Sequence, residues 1–305
     1  MSERFHFQPI SFSWVALHPY PKGVIFFIGG AFFGTFPTLF YRYFLQSVFE
    51  SGYTIVALPF RFTFQHWLVA AGLLQEQRQM QSVLVEIAQR AGYSVEIYRE
   101  AKNYFWIGHS LGCKYVALLE LLTDPQWQEN SLTCLQPKQT LQTIAQTSTA
   151  MPIRTGILNQ PSILMAPDIS DTDSAILKPL AKVVDALGWG VNPSREQTQC
   201  LIKNSRLFNL TALVSFEQDA IAGSRQDSDE TKSDVRWLLN HLSDRNLPQA
   251  ELSGKHLEPV GIRVGKWIMD LNPLDKWIAP LARRRVEATV LVFLEKLASA
   301  KLERQ

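Results

Sequence analysis

Residues Asn103 to Leu122 read N-Y-F-W-I-G-H-S-L-G-C-K-Y-V-A-L-L-E-L-L. An aromatic and apolar run, Tyr104 to Ile107, stops at Gly108-His109-Ser110-Leu111-Gly112. Apolar residues at helical spacing, Leu111, Tyr115, Leu118, Leu119 and Leu122, follow at once. The pattern is strand, sharp turn, helix. Such a turn holds its central serine in a strained backbone conformation at the carboxyl edge of a sheet, and glycines on either side remove the Cβ atoms that would clash there. Ser110 is therefore expected to project beside a helix amino terminus, whose free N–H groups favour a developing negative charge. G-x-S-x-G alone is a weak signal, because ordinary glycine and serine usage places one in about one chain in ten of this length. The apolar strand before it and the amphipathic helix after it raise its value; the plainer reading is a tight connection with Ser110 capping the helix.

Strands and helices alternate on both sides of this stretch. Val24 to Ile28 reads as a strand running into Gly29-Gly30-Ala31, with a helix from about Pro37 to Glu50; Tyr53 to Leu58 is the next strand and His66 to Arg90 a long helix. An edge strand is expected around Phe12 to Leu17. Further on, Ser162 to Pro167, Leu210 to Phe216 and Gln249 to Leu252 read as strands, Asp234 to Leu242 as a helix, and Leu274 to Gln305 as mostly helix. The alternation implies βαβ crossovers and a mostly parallel, doubly wound sheet covered by helices on both faces. Residues 1–305 read as one domain. It carries a Gln-rich insertion expected on the surface at about 124–155 and a helical cap at about 169–207, the latter with helices at Ala175 to Leu187 and Arg195 to Lys203.

At 305 residues the chain can bury a sizeable core, and a net charge of +2 with no block of like charge argues against a nucleic-acid partner. Three scattered cysteines, Cys113, Cys134 and Cys200, suit a reducing compartment, and neither a disulfide framework nor a metal cluster. The amino terminus has no basic stretch followed by an apolar one, so no secretion signal is expected and the location is read as cytoplasmic. Gly23 to Tyr41 contains no charged residue, but Gly29, Gly30, Gly34 and Pro37 interrupt it as a strand, glycine turn and helix start would, not as a membrane span would. No cofactor is called for.

A serine hydroxyl needs an imidazole to take its proton and a carboxylate to orient that imidazole, and after such an elbow the order is Ser, then Asp or Glu, then His. His241 lies within a helical pattern, W-L-L-N-H-L, whereas His256 follows the last strand and Gly254 in a loop free to reach the sheet edge. His256 is the preferred base. Asp219, just after L-T-A-L-V-S-F, is the preferred acid, with Asp168, just after S-I-L-M-A-P, as the alternative. Oxyanion donors are expected at the backbone N–H groups of Leu111 and Ala31.

Taken together, Ser110, Asp219, His256 and the Gly29-Gly30-Ala31 loop resemble the α/β-hydrolase superfamily over most of the chain. More narrowly, F-I-G-G-A-F-F-G, I-G-H-S-L-G, L-M-A-P-D-I-S-D-T and G-x-H-L resemble a functionally uncharacterised branch of it found in cyanobacteria and plastids. The resemblance implies an eight-stranded, mostly parallel sheet, a serine nucleophile, and a cap after the strand ending at Asp168. Gly29 stands where many relatives carry histidine, and few relatives share the Gln-rich insertion. The expected activity is a lipase-like serine hydrolysis of an ester or thioester of a hydrophobic acyl group through an acyl-enzyme. The alternative is a non-catalytic ligand carrier or assembly partner of the same fold.

For substrate contact the sequence offers Gly29, Gly30, Phe32, Phe33, His109 and Arg61, with Phe36, Phe60, Phe62, Phe64 and Trp67 crowding the same loops either as a pocket for a lipid-like substrate or as packing. The basic and aromatic residues Arg263, Lys266, Trp267, Ile268, Lys276, Trp277, Ile278, Arg283, Arg284 and Arg285 are a candidate for peripheral contact with an anionic membrane; burial of the tryptophans in the core is the alternative reading.

Overall fold

The hydrophobic stretches singled out above become the central strands of a sheet. The structure, a computed structural model, describes residues 5–135, 157–158, 160–169, 191–272 and 278–303. In chain order the elements begin with a short hairpin, β1 (Gln8–Ile10) and β2 (Ser13–Ala16), then β3 (Gly23–Ile28), α1 (Pro37–Phe40), α2 (Arg42–Glu50), β4 (Tyr53–Ala57), α3 (His66–Arg90) and α4 (Glu96–Arg99). They continue with β5 (Tyr104–His109), α5 (Leu111–Leu122), α6 (Trp127–Ser131), β6 (Ser162–Met165), α7 (Arg195–Lys203), β7 (Thr211–Phe216), α8 (Asp234–His241) and β8 (Gln249–Leu252). Three short strands, β9 (Ile262–Val264), β10 (Trp267–Met269) and β11 (Ile278–Pro280), and the helix α9 (Val286–Glu303) complete the order.

Eight strands form one sheet in the order β1-β2-β4-β3-β5-β6-β7-β8, parallel from β4 to β8 and antiparallel only at the β1 and β2 edge. Every residue of β3, β4, β5, β6 and β7 is buried, as strands covered on both faces must be. Helices lie on both sides: α3 packs on α5, while α9 packs on α2 and across β6 and β7. All parallel strands therefore end at one rim, where the loops after β3, β5, β7 and β8 meet.

The uncharged segment from Gly23 to Tyr41 resolves into β3, a single 3-10 turn (Phe33–Thr35) and α1. Among the described residues no helix is long and apolar enough to cross a membrane. The edge strand expected at Phe12 to Leu17 is instead the β1–β2 hairpin, whose turn is clasped to α3 by Glu76: its carboxylate accepts from the Ser11 and Ser13 hydroxyls and the Phe12 N–H.

Three expectations need correction. The tail expected to be mostly helix also holds a strand, since β11 precedes α9, and β9, β10 and β11 make a second, three-stranded antiparallel sheet. The first part of the Gln-rich stretch is not surface, since Trp127 and Leu135 are buried in the main core. Cys134 and Cys200 are joined as a disulfide with Cα atoms 5.6 Å apart, while Cys113 is free and buried. Their separation of 66 residues hides the pair in the sequence, and the fold closes it by setting the chain after α6 against α7. The scattered cysteines therefore give no argument for a reducing compartment. The rest of the insertion and the helix expected at Ala175 to Leu187 lie outside the described residues.

Candidate active site

Ser110 follows β5 at the N-cap position of α5, without a side-chain capping bond, at φ 54° and ψ −125°, a region costly for any residue with a Cβ, of the order of 1–3 kcal/mol. Three backbone bonds hold it there. Its N–H donates to the Met165 carbonyl at 2.9 Å, and its own carbonyl accepts from Cys113 at 2.9 Å and Asp168 at 3.3 Å. Gly112 lets the helix start come this close: a Cβ there would lie 2.1 Å from the Ile28 carbonyl oxygen. The first turn of α5 thus presses against the end of β3, the strand that carries the glycine loop.

The residues singled out from sequence converge on this serine. His256 Nε2 lies 2.8 Å from Ser110 Oγ, and its Nδ1 lies 3.0 Å and 2.9 Å from the two oxygens of Asp219. All three side chains are buried. Asp219 is itself oriented by the Ile221 and Ala222 N–H groups, which donate to Oδ1 at 2.8 and 3.0 Å in a turn after β7. A carboxylate that already accepts two backbone bonds accepts a third from the imidazole, so Nδ1 carries the proton and the Nε2 lone pair faces the hydroxyl. Asp219, not Asp168, is the acid at the imidazole; Asp168 meets Ser110 through its backbone N–H.

Behind the serine runs a second chain of hydrogen bonds that the sequence reading did not find. His109 Nε2 lies 2.9 Å from the His256 carbonyl, which can only accept, so Nε2 carries the proton and Nδ1 is an acceptor. The Tyr41 hydroxyl, 2.8 Å from that Nδ1, must then donate to it, and its oxygen accepts the Gly30 N–H at 2.8 Å. Burial, and secondarily the neighbouring His256, push the His109 pKa down to about 3, so the imidazole stays neutral. His109 was expected at the substrate. It is fully buried with both nitrogens engaged, and it props the His256 backbone instead.

The remaining expected residues sort by the direction they face. Gly30 flanks the serine, since a Cβ on it would sit 3.0 Å from Ser110 Cβ, but its N–H is committed to Tyr41. Among the described residues, the Ala31 and Leu111 N–H groups have no acceptor. Gly29, expected at the substrate, is a packing position whose missing Cβ makes room for the Tyr41 ring. Phe33 packs edge-on against Phe40, whereas Phe32 is exposed and stacks on Phe62 with ring centroids 4.7 Å apart. Beyond that stack a cavity of about 720 Å³ opens, lined by Phe12, Phe60, Phe62, Phe64 and Leu73, with Arg61 among its few charged residues. One further residue escaped the sequence reading: Lys114, fully buried one turn into α5, donates to the Pro193 carbonyl at 2.7 Å. Trp67, read either as pocket or as packing, is buried.

Solved structures with this architecture include esterase B from Lactobacillus rhamnosis, at 9% identity over 96% of this chain and 82% of that one with a TM-score of 0.52. A carboxylesterase from Lactobacillus plantarum is similar at 11% identity, covering 93% of this chain and 92% of that one, with a TM-score of 0.52. A sugar hydrolase from Lactococcus lactis is 13% identical over 97% of this chain and 98% of its own, with a TM-score of 0.52. Identities this low bear on the fold alone, and that fold is the α/β-hydrolase fold. No curated protein matches the sequence. A family profile matches residues 6–296, nearly the whole chain, and the protein belongs to that family, DUF1350, described as proteins of unknown function.

Proposed function

We propose that the protein is a serine hydrolase that cleaves an ester or thioester of a hydrophobic acyl group. The observation that carries this reading is the straight relay from Asp219 through His256 to a hydroxyl held at positive φ, with 2.9 Å and 2.8 Å contacts on either side of the imidazole. Ser110 Oγ attacks the acyl carbonyl while its proton passes to His256 Nε2, and Asp219 stabilises the resulting imidazolium through Nδ1. The oxyanion is received by the Leu111 and Ala31 N–H groups at the start of α5 and in the glycine loop; losing one such donor typically costs about 3 kcal/mol of transition-state stabilisation. As the tetrahedral intermediate collapses, the imidazolium returns its proton to the departing alcohol or thiol. Water then repeats the sequence on the acyl-enzyme, releasing the acid and regenerating the free hydroxyl. The phenylalanine-lined cavity beyond Phe32 supports an apolar acyl chain as the bound part, and Arg61 offers an anionic group a partner. Residues 169–207 are read as the cap of this single domain.

A fluorophosphonate probe is expected to label the native protein at one serine, and Ser110→Ala is expected to abolish labelling with the fold intact. Folded protein that stays unlabelled would count for a non-catalytic carrier, which has no use for an imidazole aligned on a hydroxyl. A series of nitrophenyl esters of increasing chain length should then show kcat/KM rising from acetyl toward longer acyl groups.

A further inference from the structure

Cross-strand pairing in the three-stranded sheet decides which of its residues share a face. Trp267 opposes Val264 on one side and Pro280 on the other, while Met269 opposes Ile262 and Ile278. Because partners directly opposite one another project to the same side, one face carries Ile262, Val264, Trp267, Met269, Ile278 and Pro280, with no polar side chain among them. The other face turns Ile268 and Ala279 inward, Ile268 being 4% exposed, with the Arg263 guanidinium lying over the Tyr43 ring of α2. The face that an antiparallel sheet usually gives to water is here the apolar one. Val264 is 57%, Trp267 50% and Ile278 56% exposed.

Charge indicates what covers it. Between residues 255 and 287 there are seven lysines and arginines against four carboxylates, a surplus of three in a chain whose net charge is only +2. Arg263, Lys266, Arg283 and Arg285 are exposed around the sheet, and the Leu281 N–H bond to the Lys266 carbonyl brings the hairpin turn beside the arginine cluster. We propose that this face seats on an anionic lipid surface, with Trp267, Val264 and Ile278 entering the headgroup region and the basic residues meeting lipid phosphates. A half-exposed tryptophan surrounded by cations suits that boundary, where basic side chains add attraction to lipid phosphates. A second copy fits poorly, since a two-fold contact through this face would set the same cations against themselves. The surface also continues toward the rim: Gly261, just before β9, donates to the Phe40 carbonyl at 2.8 Å, next to α1, where Phe36 and Leu39 are exposed. Seating does not depend on Ser110 reacting.

Co-sedimentation of the full chain with vesicles tests this. Native protein and Ser110→Ala are both expected to bind equimolar phosphatidylglycerol and phosphatidylcholine vesicles, to bind pure phosphatidylcholine far less, and to lose affinity as salt rises. Val264→Ser with Trp267→Ser should weaken binding about tenfold or more without changing the melting curve, and Lys266→Glu with Arg285→Glu should erase the preference for anionic lipid. Native protein that stays in the supernatant while anionic vesicles pellet at low salt would overturn the proposal. So would a native dimer that the Val264 and Trp267 changes dissociate while leaving vesicle binding untouched, because the face would then belong to a protein partner.

Discussion

The Tyr41 hydroxyl joins the glycine loop to the backbone behind the proposed base. It takes the Gly30 N–H and gives its proton to His109, whose other nitrogen holds the His256 carbonyl. One consequence is that the Gly30 N–H is committed to Tyr41, so the donor proposed for the oxyanion in this loop is that of its neighbour Ala31. Another is that Tyr41→Phe keeps the ring against Gly29 but strands a buried N–H and a buried imidazole nitrogen, each costing about 1–3 kcal/mol. We expect this variant to unfold at lower urea and to lose kcat with little change in KM, since no atom of Tyr41 is assigned to the substrate. Steady-state kinetics on a nitrophenyl ester beside a urea titration measures both. A variant with native kcat would show that the relay merely fills space.

At the scale of elements, the elbow is a contact between two secondary structures as much as a turn. Gly112 brings the start of α5 against the Ile28 and Gly29 carbonyls, so Ser110 and the glycine loop are packed against one another. In Gly112→Ala the added methyl meets backbone oxygen at 2.1 Å, and the helix must retreat. The expected outcome is a stability loss of about 3 kcal/mol or more and much slower labelling of Ser110 by the fluorophosphonate, read by chemical denaturation and by gel. This contact was legible in the sequence, because glycine at fixed spacing around a serine has few other uses there. Tyr41 was not, since it reads as one more aromatic at a helix boundary, and its partners lie 11 and 68 residues away. Strands of three residues interleaved with proline and charge gave too short a run for alternation to register, so β9 and β10 were not read as strands and β11 passed for part of the tail. The Cys134 and Cys200 pair was hidden in the same way, by a contact that only the folded chain creates.

For the whole molecule, two imidazoles held neutral inside set a direction for acid sensitivity. Burial, and then Lys114, push His66 down to about 2, and His109 stands at about 3, whereas in the unfolded chain each takes up a proton near 6.5. Their contribution is present above the unfolded value and is lost as pH falls, at about 1.4 kcal/mol per pH unit for each group while only the unfolded chain binds the proton. Unfolding free energies from urea titrations should therefore drop by about 3 kcal/mol from these two residues between roughly pH 6.5 and 5, and His109→Gln should halve that slope. A variant slope equal to the native one would show that His109 titrates alike in both states. The cavity beyond Phe32 has a different consequence. Its walls come from the connection after β4, from α3 and from Phe12 in the β1–β2 turn, none of which supplies a reacting group. If the proposed acyl chain lies there, side chains of this wall can be exchanged, lengthening or shortening the chain that fits, without touching Ser110, His256 or Asp219. Such a division would let the proposed centre diversify its diet by redecorating one wall.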